Sequence, residues 1–275
     1  MLPLCSPHVH TRFCDGQSTT DEMVRAAIEA GFVSIGITSH AVQDIDPAYC
    51  VARDQEQAYI DEVNAAQQAY ADRIRVWRGI ERDSVSDADR SRYEYVLAAV
   101  HYMPDGEHIL GVDGNARQLE LEIERRYGGR GDLMAIDYYQ TYSAYIRSYK
   151  PDIIAHYDLV MKNNRQHQLF DPQDPAAFSA ALAGMEEAIK GCRVMEINTG
   201  AIVRRGAKEP YPSLPLLKHW RQLGGQVILA SDCHFAPQIA GGYDEGLALM
   251  QAAGYKEMLI LGRDKELFET VPLQL

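Results

Sequence analysis

Short apolar runs alternate with longer amphipathic segments along the chain. The apolar runs predict buried strands, one just before His8 and others at 33–38, 74–80, 95–100, 152–155, 193–197 and 226–230. The amphipathic segments predict helices at 20–30, 54–71, 132–150, 174–190, 214–223 and 245–253, with Thr20 as the cap of the first. Strands that alternate with helices form a parallel sheet. About seven strands in a chain of 275 residues favour a closed or nearly closed α/β barrel over an open sheet.

Residues 1–275 show no linker, internal repeat or low-complexity segment, so we expect them to form one domain. No stretch approaches the roughly 20 apolar residues that a membrane-spanning helix needs, and the first residues lack the pattern of a secretory signal. The five cysteines form no Cys-x-x-Cys pair, which favours reduced thiols over a disulfide framework or a zinc knuckle. These features predict a cytoplasmic protein without a membrane partner.

The charge balance restricts the class of partner. The chain has 27 Lys and Arg residues against 39 Asp and Glu residues, a formal net charge of −12. Such a surface repels nucleic acid, so we expect no nucleic-acid partner. An anionic small-molecule substrate would need a local positive field, which metal ions could supply. The sequence indicates no particular oligomeric state.

Ionisable residues concentrate where the predicted strands end. Six of the nine histidines lie there, namely His8, His10, His40, His101, His156 and His234. Three carboxylates share this placement, namely Glu81, Glu196 and Asp232. The carboxyl ends of barrel strands meet on one face, where the active sites of such folds lie. Imidazole together with carboxylate suits zinc, iron or manganese, so the pattern predicts a metal centre.

The spacing of these residues indicates more than one ion. His8 and His10 stand at i and i+2 and therefore share one side of an extended strand, and Asp232 and His234 repeat that relation. Two such pairs and a bridging carboxylate predict two or three divalent ions, with Glu81 as the bridge. Asp232 could instead only cap the following helix.

These residues resemble the motifs of the PHP superfamily, which is named for polymerases and histidinol phosphatases. The motifs run in family order as His8-x-His10, Thr38-Ser39-His40, Gly79-Ile80-Glu81, His101, His156, Glu196 and Asp232-x-His234. The segments 8–14, 154–160, 196–199, 204–206 and 209–213 look more like the histidinol-phosphatase branch than the polymerase-associated or nucleotide-directed branches.

The resemblance implies a distorted (β/α)7 TIM-like barrel with a trinuclear site. It assigns one ion to His8, His10, Glu81 and Asp232, a second to Glu81, His101 and His156, and a third to Asp15, His40 and His234. Asp15 departs from the pattern, because many histidinol phosphatases have a histidine in this loop. The alternative for Asp15 is a turn residue before Gly16.

The implied activity is hydrolysis of L-histidinol phosphate to L-histidinol and phosphate, a step of histidine biosynthesis. A metal-bridging hydroxide would attack phosphorus, because coordination lowers the pKa of water to about 7. Alternatives are another small-molecule phosphoesterase of the superfamily, for instance a nucleotide-directed one, and a non-catalytic barrel used as a regulatory module.

Residues outside the ligand set are candidates for substrate binding. Cations after the fifth and sixth barrel strands could orient the phosphate, namely Lys162, Arg165, Arg204 and Arg205; each could also be a solvated loop charge. Glu196 would bind a substrate ammonium or orient a metal-binding histidine. The proton for the leaving alcohol would come from a water ligand, Asp232 or His234. Cys233 is expected to point away from the site and pack.

Overall fold

The structure is a computed structural model that describes residues 2–106 and 108–273. The strands are β1 (Leu4–Ser6), β2 (Phe32–Ile37), β3 (Arg75–Asp83), β4 (Tyr95–Ala99), β5 (Tyr102–Asp105), β6 (His108–Gly111), β7 (Ile153–Ile154), β8 (Val194–Asn198), β9 (Gln226–Ala230), β10 (Glu257–Leu261) and β11 (Phe268–Pro272). One sheet runs in the order β1-β2-β3-β4-β7-β8-β9-β10-β11, and β5 pairs with β6. From β1 to β10 the neighbours are parallel. The seven predicted strands are confirmed as β1 to β4 and β7 to β9.

The barrel closes where the segment around β1 contacts two other parts of the chain, the segment after β9 and strand β10. At the carboxyl end Val9 and Cys233 form a parallel bridge that joins the segments after β1 and β9. There the amide of His10 donates to the carbonyl of Cys233 at 2.9 Å. Strand β10 lies beside β9 and also contacts β1, because the amide of Leu261, its last residue, donates to Cys5 Sγ at 3.2 Å. The seven strands therefore meet directly at the carboxyl end.

The helices of the described residues are α1 (Thr20–Glu29), α2 (Glu56–Ala69), α3 (Ala116–Tyr127), α4 (Gly131–Tyr149), α5 (Met161–His167), α6 (Pro175–Ala188), α7 (Gly200–Arg205), α8 (Leu214–Gln222) and α9 (Tyr243–Ala253). Six correspond to predicted helices. The prediction of Thr20 as the first cap is wrong. Thr19 forms a capping box, in which its hydroxyl accepts from the Glu22 amide and the Glu22 carboxylate accepts from the Thr19 amide. None of the described helices has the length and apolarity to cross a membrane.

Some elements were not predicted, namely α3, α5, α7, β5, β6, β10 and β11. Helix α3 is mostly polar and buries only Leu119 and Ile123, so it has few apolar positions to indicate a buried face. The β5–β6 hairpin has four residues a strand and contains Pro104. Strand β11 lies at the edge of the sheet, antiparallel to β10, and buries one residue. Helix α3, the β5–β6 hairpin and strand β11 all lie outside the seven-stranded barrel wall that positions the site.

Tyr95 fills the barrel interior beneath the carboxyl end. A Cβ at Gly36 would lie 1.8 Å from the Tyr95 hydroxyl, and one at Gly79 would lie 2.5 Å from its ring, so both strands need glycine here. The hydroxyl donates to the carbonyl of Pro7 at 2.5 Å. Tyr95 therefore fixes the backbone immediately before His8.

Candidate metal centre

The carboxyl ends of the barrel strands bring the nine predicted metal ligands to one place. A cavity of about 380 Å³ is lined by seven of them, namely Asp15, His40, Glu81, His101, His156, Asp232 and His234. The other two, His8 and His10, are fully buried in contact with this set. The strand-end placement read from the sequence therefore corresponds to a single cluster.

Glu81 lies at the centre of the cluster. Its Oε2 atom is 2.8 Å from His40 Nδ1 and 3.2 Å from His8 Nε2. Its Oε1 atom is 2.9 Å from His156 Nε2 and 3.6 Å from His101 Nε2. The two oxygens thus face different imidazoles, which is the arrangement that a bridging carboxylate requires.

The donor atoms form four groups compact enough to hold an ion. They are His10 with Asp15, His40 and His234; His8 with Glu81 and His156; His8 with His10 and Asp232; and His40 with Glu81 and His101. These groups overlap in His8, His10, His40 and Glu81, whereas in the resemblance-based assignment only Glu81 is shared. The groups are therefore adjacent parts of one centre.

Asp15 faces the imidazoles although it also belongs to a tight turn. Its Oδ2 atom is 3.2 Å from His234 Nε2, and its Oδ1 atom is 3.6 Å from both His10 Nδ1 and His40 Nε2. A Cβ at Gly16 would lie 2.7 Å from the Thr11 amide nitrogen, so the loop needs glycine next to Asp15. Burial raises the pKa of the Asp15 carboxyl, but the three histidines outweigh burial and lower it.

Carboxylates outside the cluster orient two of its histidines. Glu196 Oε2 lies 2.9 Å from His8 Nδ1, and Asp83 Oδ2 lies 3.1 Å from His101 Nδ1. A carboxylate on Nδ1 holds the proton there and leaves the Nε2 lone pair directed at the cluster. Glu196 has no exposed surface. Its position therefore favours orientation of His8 over contact with a substrate ammonium.

Asp83 and Asn198 are site residues that the sequence reasoning missed. Asn198 Nδ2 donates to Glu196 Oε1 at 2.7 Å and to Asp232 Oδ2 at 3.2 Å, while Asp83 also accepts from the His101 amide. Each stands two residues after a recognised carboxylate on the same strand, Glu81 or Glu196. The i, i+2 rule that linked His8 to His10 could have found them.

Burial and mutual charge perturb the titration of the cluster. Burial lowers the pKa of His8, but the carboxylates of Glu196, Glu81 and Asp232 outweigh it and raise the pKa well above its usual value. Burial lowers the pKa of His10, and the neighbouring His234 adds to this effect. For His101, burial is outweighed by Glu81 and Asp83, which raise its pKa to about 9.

The residues present fit a divalent metal ion. Glu81 Oε2 is buried among imidazoles, yet it accepts no hydrogen bond from the described residues. His8 Nε2 and His10 Nε2 face each other at 3.0 Å, although the Nδ1 atom of His8 holds its proton towards Glu196. An unsatisfied buried carboxylate oxygen is costly without a cation. Imidazole and carboxylate donors suit zinc, iron or manganese.

Arg204 contacts the cluster directly. Its Nη2 atom is 2.8 Å from Asp232 Oδ2, and its Nη1 atom is 2.6 Å from His234 Nδ1. Asp232 has φ +48°, in the left-handed region, and Cys233 next to it is buried. Strand β9 ends at Ala230, so turn geometry and the Val9–Cys233 bridge, rather than regular strand alternation, direct Asp232 and His234 to the site.

Two of the other three predicted phosphate-binding cations line the cavity. Lys162 lines the cavity and pairs with Asp113, Nζ to Oδ2 at 2.6 Å. Arg205 lines the same cavity at the end of α7. The side chain of Arg165 lies outside the described part of the structure, so its predicted role stays a prediction.

A second cavity, which the sequence did not predict, opens beside the metal centre. Its volume is about 850 Å³, and it shares Lys162, Ala201, Arg205 and Tyr211 with the first cavity. The wall is largely apolar, with Tyr139, Met161, Phe170, Phe178 and Leu216. Asp158, Lys208 and Glu209 add charged groups. The metal cluster is thus continuous with a pocket large enough for an organic group.

Comparisons with known proteins agree with this geometry. The family model described as PHP domain matches residues 6–200. A Deinococcus radiodurans protein named "Probable histidinol-phosphatase" is 29% identical over 245 residues, which span 85% of this chain and 87% of that protein.

Two solved structures have a similar fold. One, from Listeria monocytogenes, carries the name of a histidinol phosphatase and has a TM-score of 0.72 at 20% identity, covering 87% of this chain and 98% of that one. The other is histidinol phosphate phosphatase from Lactococcus lactis, complexed with Zn, L-histidinol and phosphate. Its TM-score is 0.67 at 20% identity, and the match covers 96% of this chain and 100% of that one.

Proposed function

Because the chain belongs to the PHP domain family, we propose that it is a metal-dependent phosphomonoester hydrolase acting on L-histidinol phosphate in histidine biosynthesis. One observation carries the proposal: histidines and carboxylates from the ends of six barrel strands, β1 to β4, β7 and β9, form one cluster around Glu81. The relatives named histidinol-phosphatase, and the Lactococcus lactis structure that holds zinc, L-histidinol and phosphate, support the choice of substrate.

The centre is proposed to hold two or three divalent ions, of zinc, iron or manganese. The residues that would hold them are His8, His10, Asp15, His40, Glu81, His101, His156, Asp232 and His234. When bound, such ions supply positive charge for the phosphoryl group and lower the pKa of a coordinated water. Glu196 and Asp83 hold protons on the Nδ1 atoms of His8 and His101, so that Nε2 of each ring can act as a ligand.

Cations of the chain would orient the phosphate. Arg204 lines the cavity and would supply positive charge to the phosphate, while its terminal nitrogens contact Asp232 and His234. Lys162 and Arg205 stand where the two cavities join and could contact the same group. Of the two candidate proton donors, Asp232 is held as a carboxylate by Arg204, Nη2 to Oδ2 at 2.8 Å, so the leaving alcohol would receive its proton from His234 beside it.

The second cavity would bind the alcohol half of the substrate. Its aromatic and aliphatic wall suits a flat heterocycle, and the carboxylates of Asp158 and Glu209 suit an ammonium group. Its volume of about 850 Å³ also favours a second candidate, a nucleotide-directed phosphomonoesterase, because a nucleoside is bulkier than histidinol.

Phosphate release from a panel of phosphomonoesters tests the proposal. The purified protein is analysed for metals and assayed on histidinol phosphate, a nucleoside monophosphate and p-nitrophenyl phosphate, each with and without a chelator. The proposal expects the highest kcat/KM for histidinol phosphate and full dependence on metal. A preference for the nucleotide would favour the second candidate, and turnover that survives complete metal removal would exclude both.

We also propose that residues 1–275 act as one domain. The bridge between Val9 and Cys233 closes the barrel with segments from opposite ends of the chain, and both ends supply metal-site residues.

A further inference from the structure

Tyr49 lies in the wall of the metal-centre cavity, on the loop between β2 and α2. Two backbone hydrogen bonds shape this loop. The Val51 amide donates to the carbonyl of His40 at 3.0 Å, and the Tyr49 amide donates to the carbonyl of Asp46 at 3.2 Å. The loop therefore returns to His40 and holds the phenol ring over it.

The ring of Tyr49 contacts two of the proposed metal ligands. Its centroid is 3.9 Å from that of His40 at an interplanar angle of 31°, and 5.8 Å from that of His101 in an edge-on arrangement. Packing of this kind restricts the imidazole of His40. A phenylalanine would pack equally well, so the contact does not account for the hydroxyl.

The hydroxyl of Tyr49 makes no hydrogen bond with any residue that the structure describes. Buried tyrosine hydroxyls usually have a hydrogen-bond partner. Tyr49, in contrast, is only partly buried and lies in the cavity wall. Two charged donors of the same cavity are already engaged, Arg204 with Asp232 and Lys162 with Asp113. Tyr49 thus offers the cavity a donor that is held in place and unused.

A neutral donor suits this position. The carboxylates of Asp15, Glu81 and Asp113 line the same cavity as Tyr49. A further carboxylate at the wall would repel a phosphate group. A phenol donates one hydrogen bond without adding a charge, and Arg204 stands in the same cavity to supply the positive charge. The phosphoryl oxygens of a monoester are the acceptors that such a pair of groups would recognise.

We propose that the Tyr49 hydroxyl donates a hydrogen bond to an oxygen of the substrate's phosphoryl group, while its ring positions His40. This inference rests on the proposed phosphomonoesterase function. The hydroxyl and the ring of Tyr49 have separate roles in this inference. Two substitutions at this position distinguish the two roles.

The test compares Tyr49→Phe, Tyr49→Ala and a matched control, Tyr127→Phe. The Tyr127 hydroxyl donates to Asp137 at 2.6 Å, away from both cavities. Three quantities are measured on each metal-loaded protein: bound metal, affinity for inorganic phosphate by calorimetry, and kcat/KM for the best phosphomonoester of the wild type.

For Tyr49→Phe we expect unchanged metal content, with phosphate affinity and kcat/KM each lowered by about 10- to 100-fold, the usual effect of losing a hydrogen bond to a charged group. For Tyr49→Ala we expect the same losses and, in addition, reduced metal retention. The control should match the wild type.

Wild-type values of phosphate affinity and kcat/KM in Tyr49→Phe would overturn the inference and leave the proposed function standing. Lost metal in Tyr49→Phe would equally overturn it, because the hydroxyl would then serve the metal centre. A wild-type protein that neither binds phosphate nor hydrolyses any monoester would overturn both.

Discussion

Glu196→Gln is the substitution that tests most directly how the metal centre is organised. Glu196 Oε1 accepts from the His156 amide at 2.8 Å and from Asn198 Nδ2 at 2.7 Å. Because two donors converge on this atom, the amide oxygen of a glutamine would occupy it. The amide NH₂ would then replace Oε2 and face His8 Nδ1, 2.9 Å away in the wild type.

Two N–H groups cannot face each other at this distance, so His8 would have to move its proton to Nε2. That atom lies 3.2 Å from Glu81 Oε2 and is the one that would bind metal. Loss of such an outer carboxylate lowers metal affinity by roughly 10- to 100-fold, or ~1.4–2.7 kcal/mol. The free energy of unfolding should fall by a further ~1–2 kcal/mol, because a buried hydrogen bond to a charged group is replaced by one between neutral groups.

Chelator competition measures the metal affinity, and denaturant unfolding of the metal-free protein measures stability separately. Glu94→Gln is the control, because Glu94 accepts from the Arg78 amide at 2.7 Å and pairs with Arg75 at 2.9 Å, far from the metal centre. We expect both variants to lose stability and only Glu196→Gln to lose metal affinity. A folded Glu196→Gln protein with wild-type metal affinity would refute the orienting role of Glu196.

Further predictions concern the ligands, the ions and the thiols. His10→Ala should abolish turnover while unfolding stays cooperative, because the ring belongs to the metal cluster; activity and denaturation curves check this, and wild-type rates would contradict the site. Exhaustive chelation should remove activity, and added zinc or manganese should restore it; a permanent loss would point to unfolding. Alkylation of Cys5, Cys50 and Cys192 at pH 8 should be slow in the native protein and fast in urea, because burial raises the pKa of each thiol to about 12. Cys5→Ser should change activity little, because the serine hydroxyl can replace Sγ as the acceptor of the Leu261 amide.

The barrel and its cluster could be predicted because both depend on short-range signals. Most barrel strands are apolar runs, and His40, His101 and His156 follow within three residues of the ends of three of them. Parallel topology then brings these ends together without further information. The strand bounds predicted from the pattern agree with the structure to within a few residues.

Features that depend on contacts between distant segments could not be predicted. The second cavity is formed by residues of helices α4 to α8 and the loops between them, and no local pattern predicts the space between helices. The ring of Tyr49 reaches His40 through a loop whose course follows from hydrogen bonds that have no sequence signature. Asp83 and Asn198 are different, because the i, i+2 rule applied to strands β3 and β8 would have found them.

The candidate site includes residues that lie beyond the range matched by the family model. The PHP domain model matches residues 6–200, yet Asp232 and His234 lie beyond that range. Asp232 Oδ1 is 3.2 Å from His10 Nε2, and His234 Nε2 is 3.2 Å from Asp15 Oδ2. The backbone that presents them is held by the bridge between Val9 and Cys233, so the segment after β9 both closes the barrel and completes the cluster. The contact that closes the barrel therefore lies directly beside four of the candidate metal ligands, His8, His10, Asp232 and His234.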